Sequence, residues 1–127
     1  MSQKLPIIYS IDSVKQFQDL IENNNGIIII KLGANWCGPC KKIEPYVMEV
    51  FNNVPENIQC IIVDIDECID FYSFLKKKRV VNGVPVILCY LKYNKTFIPD
   101  DFVVGADKQR LNEFFIRCFE YCEKMNA

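Results

Sequence analysis

The sequence predicts an α/β domain, a central mixed β-sheet with helices on both faces. Three observations predict it. Short runs of branched apolar residues at 27–32, 58–65 and 86–91 read as buried strands. Stretches with apolar residues at helical spacing separate or follow them. The length of 127 residues suits one domain, 1–127, and neither a linker nor an internal repeat interrupts it.

Residues 5–10 read as a short strand, because Ile7, Ile8 and Tyr9 favour extended backbone and Pro6 stands near its start. Asp12 or Ser13 caps the helix that follows, with Val14, Phe17, Leu20 and Ile21 along one stripe. The run Asn23-Asn24-Asn25-Gly26 ends it. The stretch 27–32 then has the look of a central strand, and Lys31 is the one charge inside it. A helix over 37–51 turns Ile43, Val47 and Val50 or Phe51 inward and should bend at Pro45. Pro55 closes the connection to the strand 58–65. A helix over 69–78 buries Phe71 or Tyr72 together with Leu75. Its end carries Lys76, Lys77, Lys78 and Arg79, where cations suit the helix dipole, so this basic run reads as a solvated helix end. Asn82-Gly83 is a turn and 86–91 a strand. Asn94-Lys95 is a second turn, leading to a strand over 96–104 interrupted around Pro99-Asp100-Asp101. After Gly105-Ala106, Asp107 caps a last helix with Leu111, Phe114 or Phe115, Cys118, Phe119 and Cys122 on its inner face.

Composition narrows the chemistry. Fifteen basic residues against sixteen acidic ones give a net charge of −1, which argues against nucleic acid as a bulk electrostatic partner. The longest strongly apolar run, 27–30, is far too short to span a bilayer, so no membrane partner is expected. The stretch 1–6 has one lysine and no apolar signal core, so no export signal is expected. Histidine is absent, which removes His-dependent nucleophilic sites and histidine-ligated zinc. Seven cysteines stand at 37, 40, 60, 68, 89, 118 and 122. An odd number, several in apolar or helical contexts, points to a reducing compartment, hence a cytoplasmic location.

The sequence Cys37-Gly38-Pro39-Cys40 follows a buried strand and opens a helix. Unsatisfied N–H groups and the helix dipole favour a thiolate at Cys37, which is expected to be the more exposed and more acidic thiol. Cys40, three positions on, can attack a mixed disulfide formed at Cys37. Pro39 fits the first helical turn, where its missing donor costs nothing. Two plainer readings stand beside this one: half of a zinc knuckle, and unreactive core thiols. Zinc would need a second close ligand pair, and the other cysteines lack that spacing. No metal or cofactor is therefore expected.

The stretch from Ala34 to Pro45, with Trp36 before the two cysteines, resembles the active-site segment of the thioredoxin family. The likeness continues through Val63-Asp64-Ile65-Asp66-Glu67-Cys68, Gly83-Val84-Pro85 and Val104-Gly105-Ala106. The resemblance implies a thioredoxin fold and roles for particular residues. Cys37 would attack, Cys40 would resolve, and Trp36 would cover the pair. Pro85 would be a cis-proline facing the dithiol, and the backbone of Val84 would receive a substrate strand beside Gly38 and Pro39. The plain alternative for Pro85 is a trans proline at a strand start. Asp66 would position Trp36 by a hydrogen bond, or else be a solvated acid at a strand end. Gly105 belongs to the same matching segment.

Departures from the family are as informative. Six residues before its first active cysteine the family buries an aspartate, and here Lys31 stands there. Ile62 occupies the place of that aspartate's lysine partner. Lys31 is then a neutral proton acceptor, a charged stabiliser of the Cys40 thiolate, or a lysine that snorkels to water without a role. Gly33 opens space near the dithiol. The 75–85 connection, the 94–103 loop and the last helix are all longer than in compact members. Cys60 and Cys89 read as core hydrophobes, Cys68 as a candidate accessory thiol, and Cys118 with Cys122 as core packing. The leading function is reduction of disulfide-containing protein substrates, with an external reductase or dithiol donor restoring the pair. A binding or accessory protein without turnover, and a thiol oxidase or isomerase of similar fold, are the alternatives.

Overall fold

The computed structural model describes residues 4–126. Along the chain run α1 (Val14–Glu22), β1 (Ile27–Gly33), α2 (Gly38–Phe51), β2 (Ile58–Asp64), α3 (Ile69–Lys77), β3 (Val86–Leu91), β4 (Asp101–Val104) and α4 (Lys108–Asn126). The four strands form one mixed sheet in the order β2-β1-β3-β4. β1 pairs parallel to β2 and antiparallel to β3, and β3 pairs antiparallel to β4.

β1 is the organising strand, buried along its whole length. Successive side chains of a strand point to opposite faces, so its run of isoleucines feeds two cores at once. Ile28, Ile30 and Leu32 join Phe17 and Ile21 of α1 and Phe71 and Leu75 of α3. Ile27 and Ile29 join Ile43, Val47 and Phe51 of α2 and Leu111, Phe114, Phe115, Cys118 and Cys122 of α4. By the same alternation Lys31 falls on the α2 side, between Ile62 and Ile87 in the neighbouring strands.

Local chemistry settles the ends that the sequence left open. Ser13, not Asp12, caps α1: its hydroxyl accepts from the Gln16 N–H at 3.0 Å. The Asp107 carboxylate accepts from the Gln109 N–H at 2.9 Å at the start of α4. Phe51 and Phe71 are the buried members of their pairs, and both Phe114 and Phe115 are buried.

Two expected strands are shorter than their sequence patterns. Residues 5–10 form only an isolated parallel bridge between Ile8 and Ile61. Pro6 brings no N–H, and its carbonyl accepts from the Gln59 side chain at 2.8 Å rather than from a strand partner. The 96–104 strand is confined to Asp101–Val104. Before it the chain is held by side chains: Asn94 donates to the Ile98 carbonyl at 2.7 Å, and the Asp100 carboxylate accepts from the Leu91 N–H at 2.8 Å. These contacts satisfy groups that a regular ladder would otherwise use. The reading of the stretch 1–6 as free of an export signal falls partly on residues 1–3, outside the described residues.

β4 is tied to α4 through Asp101. Its carboxylate accepts from Arg117 Nε at 2.8 Å, from Arg117 Nη2 at 3.0 Å and from the Tyr121 hydroxyl at 2.6 Å. Burial pushes the Asp101 carboxyl up, but the hydrogen bonds from Arg117, Tyr121 and the Phe102 N–H outweigh it and leave it below the ordinary carboxylate value.

Candidate functional site

The site grows from the junction between β1 and α2. After Gly33 the chain turns through Ala34, Asn35 and Trp36, and the Cys37 N–H donates to the Ala34 carbonyl at 3.2 Å. Cys37 is the N-cap of α2, and its sulfur accepts from the Cys40 N–H at 3.2 Å. Gly38 and Pro39 form the exposed first turn. Cys37 and Cys40 are joined by a disulfide. A sulfur at this end faces free N–H groups and the positive pole of the helix, so reduction of the bond leaves a thiolate there in a favourable field.

Three further pieces meet this turn. The Val84–Pro85 peptide bond is cis, and the Val84 carbonyl oxygen lies 3.9 Å from Cys37 Sγ. Gly105 donates its N–H to the Pro85 carbonyl at 3.0 Å from a backbone with φ of 94°, a conformation that favours glycine. Trp36 is 69 % exposed, and its Nε1–H donates to Asp66 Oδ2 at 2.8 Å. The Asp66 N–H in turn donates to Asp64 Oδ1 at 2.9 Å. Thus Trp36, Cys37, Gly38, Pro39, Cys40, Asp66, Val84, Pro85 and Gly105 come together from four separate stretches of chain.

Exposure does not separate the two cysteines as expected. Cys37 is 5 % and Cys40 4 % exposed, so both members of the disulfide are buried at the start of α2. Direction separates them instead. Cys37 Sγ faces the Val84 carbonyl, whereas Cys40 lines a cleft on the α2 side of the sheet.

That cleft, of about 120 Å³, is lined by Lys31, Gly33, Cys40, Lys41, Glu44, Asp64 and their neighbours. Lys31 is 6 % exposed. Burial lowers the basicity of its amine, and the Glu44 carboxylate opposes that shift. A Cβ placed on Gly33 would stand 3.5 Å from Cys40 Sγ and 3.9 Å from Lys31 Cε, so both flank the space this glycine leaves open. Glu44 is the member that sequence reasoning missed. The available signal was its spacing: four residues after Cys40 on one helix face.

Of the other thiols, Cys60, Cys89, Cys118 and Cys122 belong to the core shared by α2 and α4, and Cys68 to the core shared by α1 and α3. Burial pushes the Cys60 thiol up to about 12, and a hydrogen bond with Cys118 together with burial drives Cys89 up as well. Cys68, the candidate accessory thiol, is 2 % exposed at the start of α3, and burial raises its thiol too. A buried protonated thiol is a poor nucleophile, so Cys68 is less reactive in the folded chain than an exposed thiol. Among the described residues no group of three or more cysteines and carboxylates could hold a metal ion, and no helix is long and apolar enough to cross a membrane.

A dithiol at the start of the helix that follows the central strand of a mixed sheet, faced by a cis-proline, defines a thiol–disulfide oxidoreductase site. Comparison with known proteins agrees at the level of family. The thioredoxin family model matches residues 9–117. A thioredoxin H-type of Ricinus communis is 30 % identical over 104 residues, covering 80 % of either chain. The thioredoxin of Oryctolagus cuniculus is 35 % identical over 109 residues, 83 % of this chain and 92 % of that one. Among solved structures, Plasmodium falciparum thioredoxin superimposes with a TM-score of 0.69 at 25 % identity, over 87 % of this chain and 98 % of that one. The chain belongs to the thioredoxin family.

Proposed function

We propose that the protein reduces disulfides in protein substrates. The Cys37 thiolate attacks one sulfur of the substrate disulfide and releases the other as a thiol after protonation. Cys40 then loses its proton and attacks Cys37 Sγ, and the second substrate sulfur leaves. The substrate has gained two electrons and two protons; the protein has become the Cys37–Cys40 disulfide. An external reductase or dithiol donor returns it to the dithiol form. Trp36, Gly38, Pro39, Val84 and Pro85 form the substrate surface in this reading, with extended substrate backbone laid beside Val84. Asp66 steadies Trp36, Gly105 steadies Pro85, and Lys31 serves the proton economy of Cys40. A reducing, cytoplasmic compartment fits the five cysteines that are unpaired and buried.

The observation that carries the proposal is the position of Cys37, a helix N-cap whose sulfur faces the Val84 backbone beside an exposed tryptophan. Gly38 and Pro39 between the cysteines favour reduction over oxidation or isomerisation, since they match the reducing members of the family. The test is insulin reduction by the purified protein with a dithiol donor, together with two variants. Cys40→Ser should trap substrates as mixed disulfides on Cys37, and Cys37→Ser should capture none. Absence of turnover with both thiols reactive would favour an accessory binding role. Equal capture by the two variants would mean that another thiol, Cys68 first, takes part, and capture by Cys37→Ser alone would reverse the assignment.

A further inference from the structure

The cleft behind Cys40 holds an arrangement of charge that the dithiol alone does not require. Its floor is Lys31, the one charged residue of a seven-residue buried strand. In the sheet Lys31 is flanked by Ile62 and Ile87, which bring no charge. Every other ionisable group on the cleft comes from α2 or the end of β2: Cys40, Lys41, Glu44 and Asp64. Asp64 already accepts the Asp66 N–H through Oδ1 and belongs to the support under Trp36. Lys41 carries the same charge as Lys31. Glu44 alone opposes the burial that drives the Lys31 amine toward its neutral form.

We infer that Lys31 takes the proton of the Cys40 thiol during the resolving step, and that Glu44 is a positioning residue that sets the pH at which Lys31 can do so. The inference rests on the reductase reading above. With Lys31 neutral, the Cys40 S–H proton passes to its Nζ and leaves a thiolate beside an ammonium. The thiolate attacks Cys37 Sγ, the mixed-disulfide S–S bond breaks, and its electron pair leaves with the substrate sulfur, which takes a proton from solvent. The ammonium returns its proton to solvent at the mouth of the cleft, where Glu44 is exposed. Gly33 borders both groups, since a Cβ there would stand in van der Waals contact with Cys40 Sγ at 3.5 Å and Lys31 Cε at 3.9 Å.

The chemistry predicts the sign of a Glu44→Gln change. Without the carboxylate the ammonium loses its support, Lys31 becomes neutral at lower pH, and the resolving step begins at lower pH. On the rising limb of the profile the step should be about threefold faster at fixed pH, a shift of about half a pH unit. Direct action of Glu44 on Cys40 would have the same sign, so the Lys31→Met background separates the two routes. An aromatic disulfide that releases one coloured thiolate on attack and a second on resolution reads both steps by stopped flow. Attack by Cys37 gives the first phase, whose loss would count against the reductase reading itself. Resolution gives the second, which tests the present inference.

E44Q should leave the first phase in place and move the second to lower pH. K31M should slow the second phase, and E44Q should then add nothing to K31M. In parallel, the Lys31 13Cε resonance should titrate at lower pH in E44Q than in the wild type, a measurement that needs no Lys31 variant. Superimposable second phases in wild type and E44Q, an E44Q shift that survives in K31M, or an unmoved Lys31 titration would each overturn the inference.

Discussion

At the scale of the residue, Lys31 has a thermodynamic signature apart from any kinetic role. Its amine is less basic in the folded chain than the ordinary 10.5. Between the lowered folded value and the unfolded one, the unfolded chain binds more protons, so stability rises with pH across that window. Below the window the full burial penalty is present. Lys31→Met keeps most of the stem and removes the charge. It should therefore match or exceed the wild type in stability at neutral pH and lose the alkaline rise, measured as urea unfolding at a series of pH values. The residue was legible because a lone lysine in an isoleucine run is conspicuous. Glu44 was not, since an exposed acid on a helix reads as an ordinary solvated face until the cleft beneath it is known. The bond between Trp36 and Asp66 spans thirty residues, and only the likeness to a family pointed to it.

At the scale of the element, β4 is a four-residue edge strand that depends on α4 for its place. Asp101 accepts three side-chain hydrogen bonds there, two of them from a half-exposed arginine. Asp101→Asn should cost roughly 2 kcal/mol, the range for hydrogen bonds to a charged group, discounted for the solvent around Arg117. Because the folded Asp101 carboxyl lies below its unfolded value, its contribution is complete above the unfolded carboxylate range. It fades as pH falls through the folded value. The wild type should thus lose part of its advantage over D101N in acid, and equal unfolding midpoints at neutral pH would disprove the coupling of β4 to α4. The same edge shows where pattern reading fails. β1, β2 and β3 were legible because unbroken apolar runs leave no other fate for a short segment. At 5–10 and 96–100 the residues have strand propensity, yet Pro6, Asn94, Pro99 and Asp100 withdraw or divert the backbone groups that a ladder needs.

At the scale of the whole molecule, the sheet sorts the seven cysteines into two populations. Cys37 and Cys40 are paired at the start of α2, beside the exposed Trp36, Gly38 and Pro39, whereas Cys60, Cys68, Cys89, Cys118 and Cys122 are unpaired and buried within the two cores. Register explains part of this: Cys60 and Cys89 are both opposite Ile29, so they share one row of the sheet beneath α4. In the reduced protein, limiting iodoacetamide at neutral pH should label Cys37 first. The five buried thiols should react only when denaturant opens the fold, giving seven in total. Rapid labelling of any of the five in the native protein would mean that the core opens far more readily than its packing implies.

Trp36 is the only tryptophan of the chain and stands next to the disulfide with its ring fixed by Asp66. The molecule therefore carries a built-in optical probe. Disulfides quench excited indoles at short range, so light emitted by this one fluorophore encodes the oxidation state of its neighbour. No second indole contributes background. Turnover is visible from within the protein, without a label and without disturbing any of the thiols.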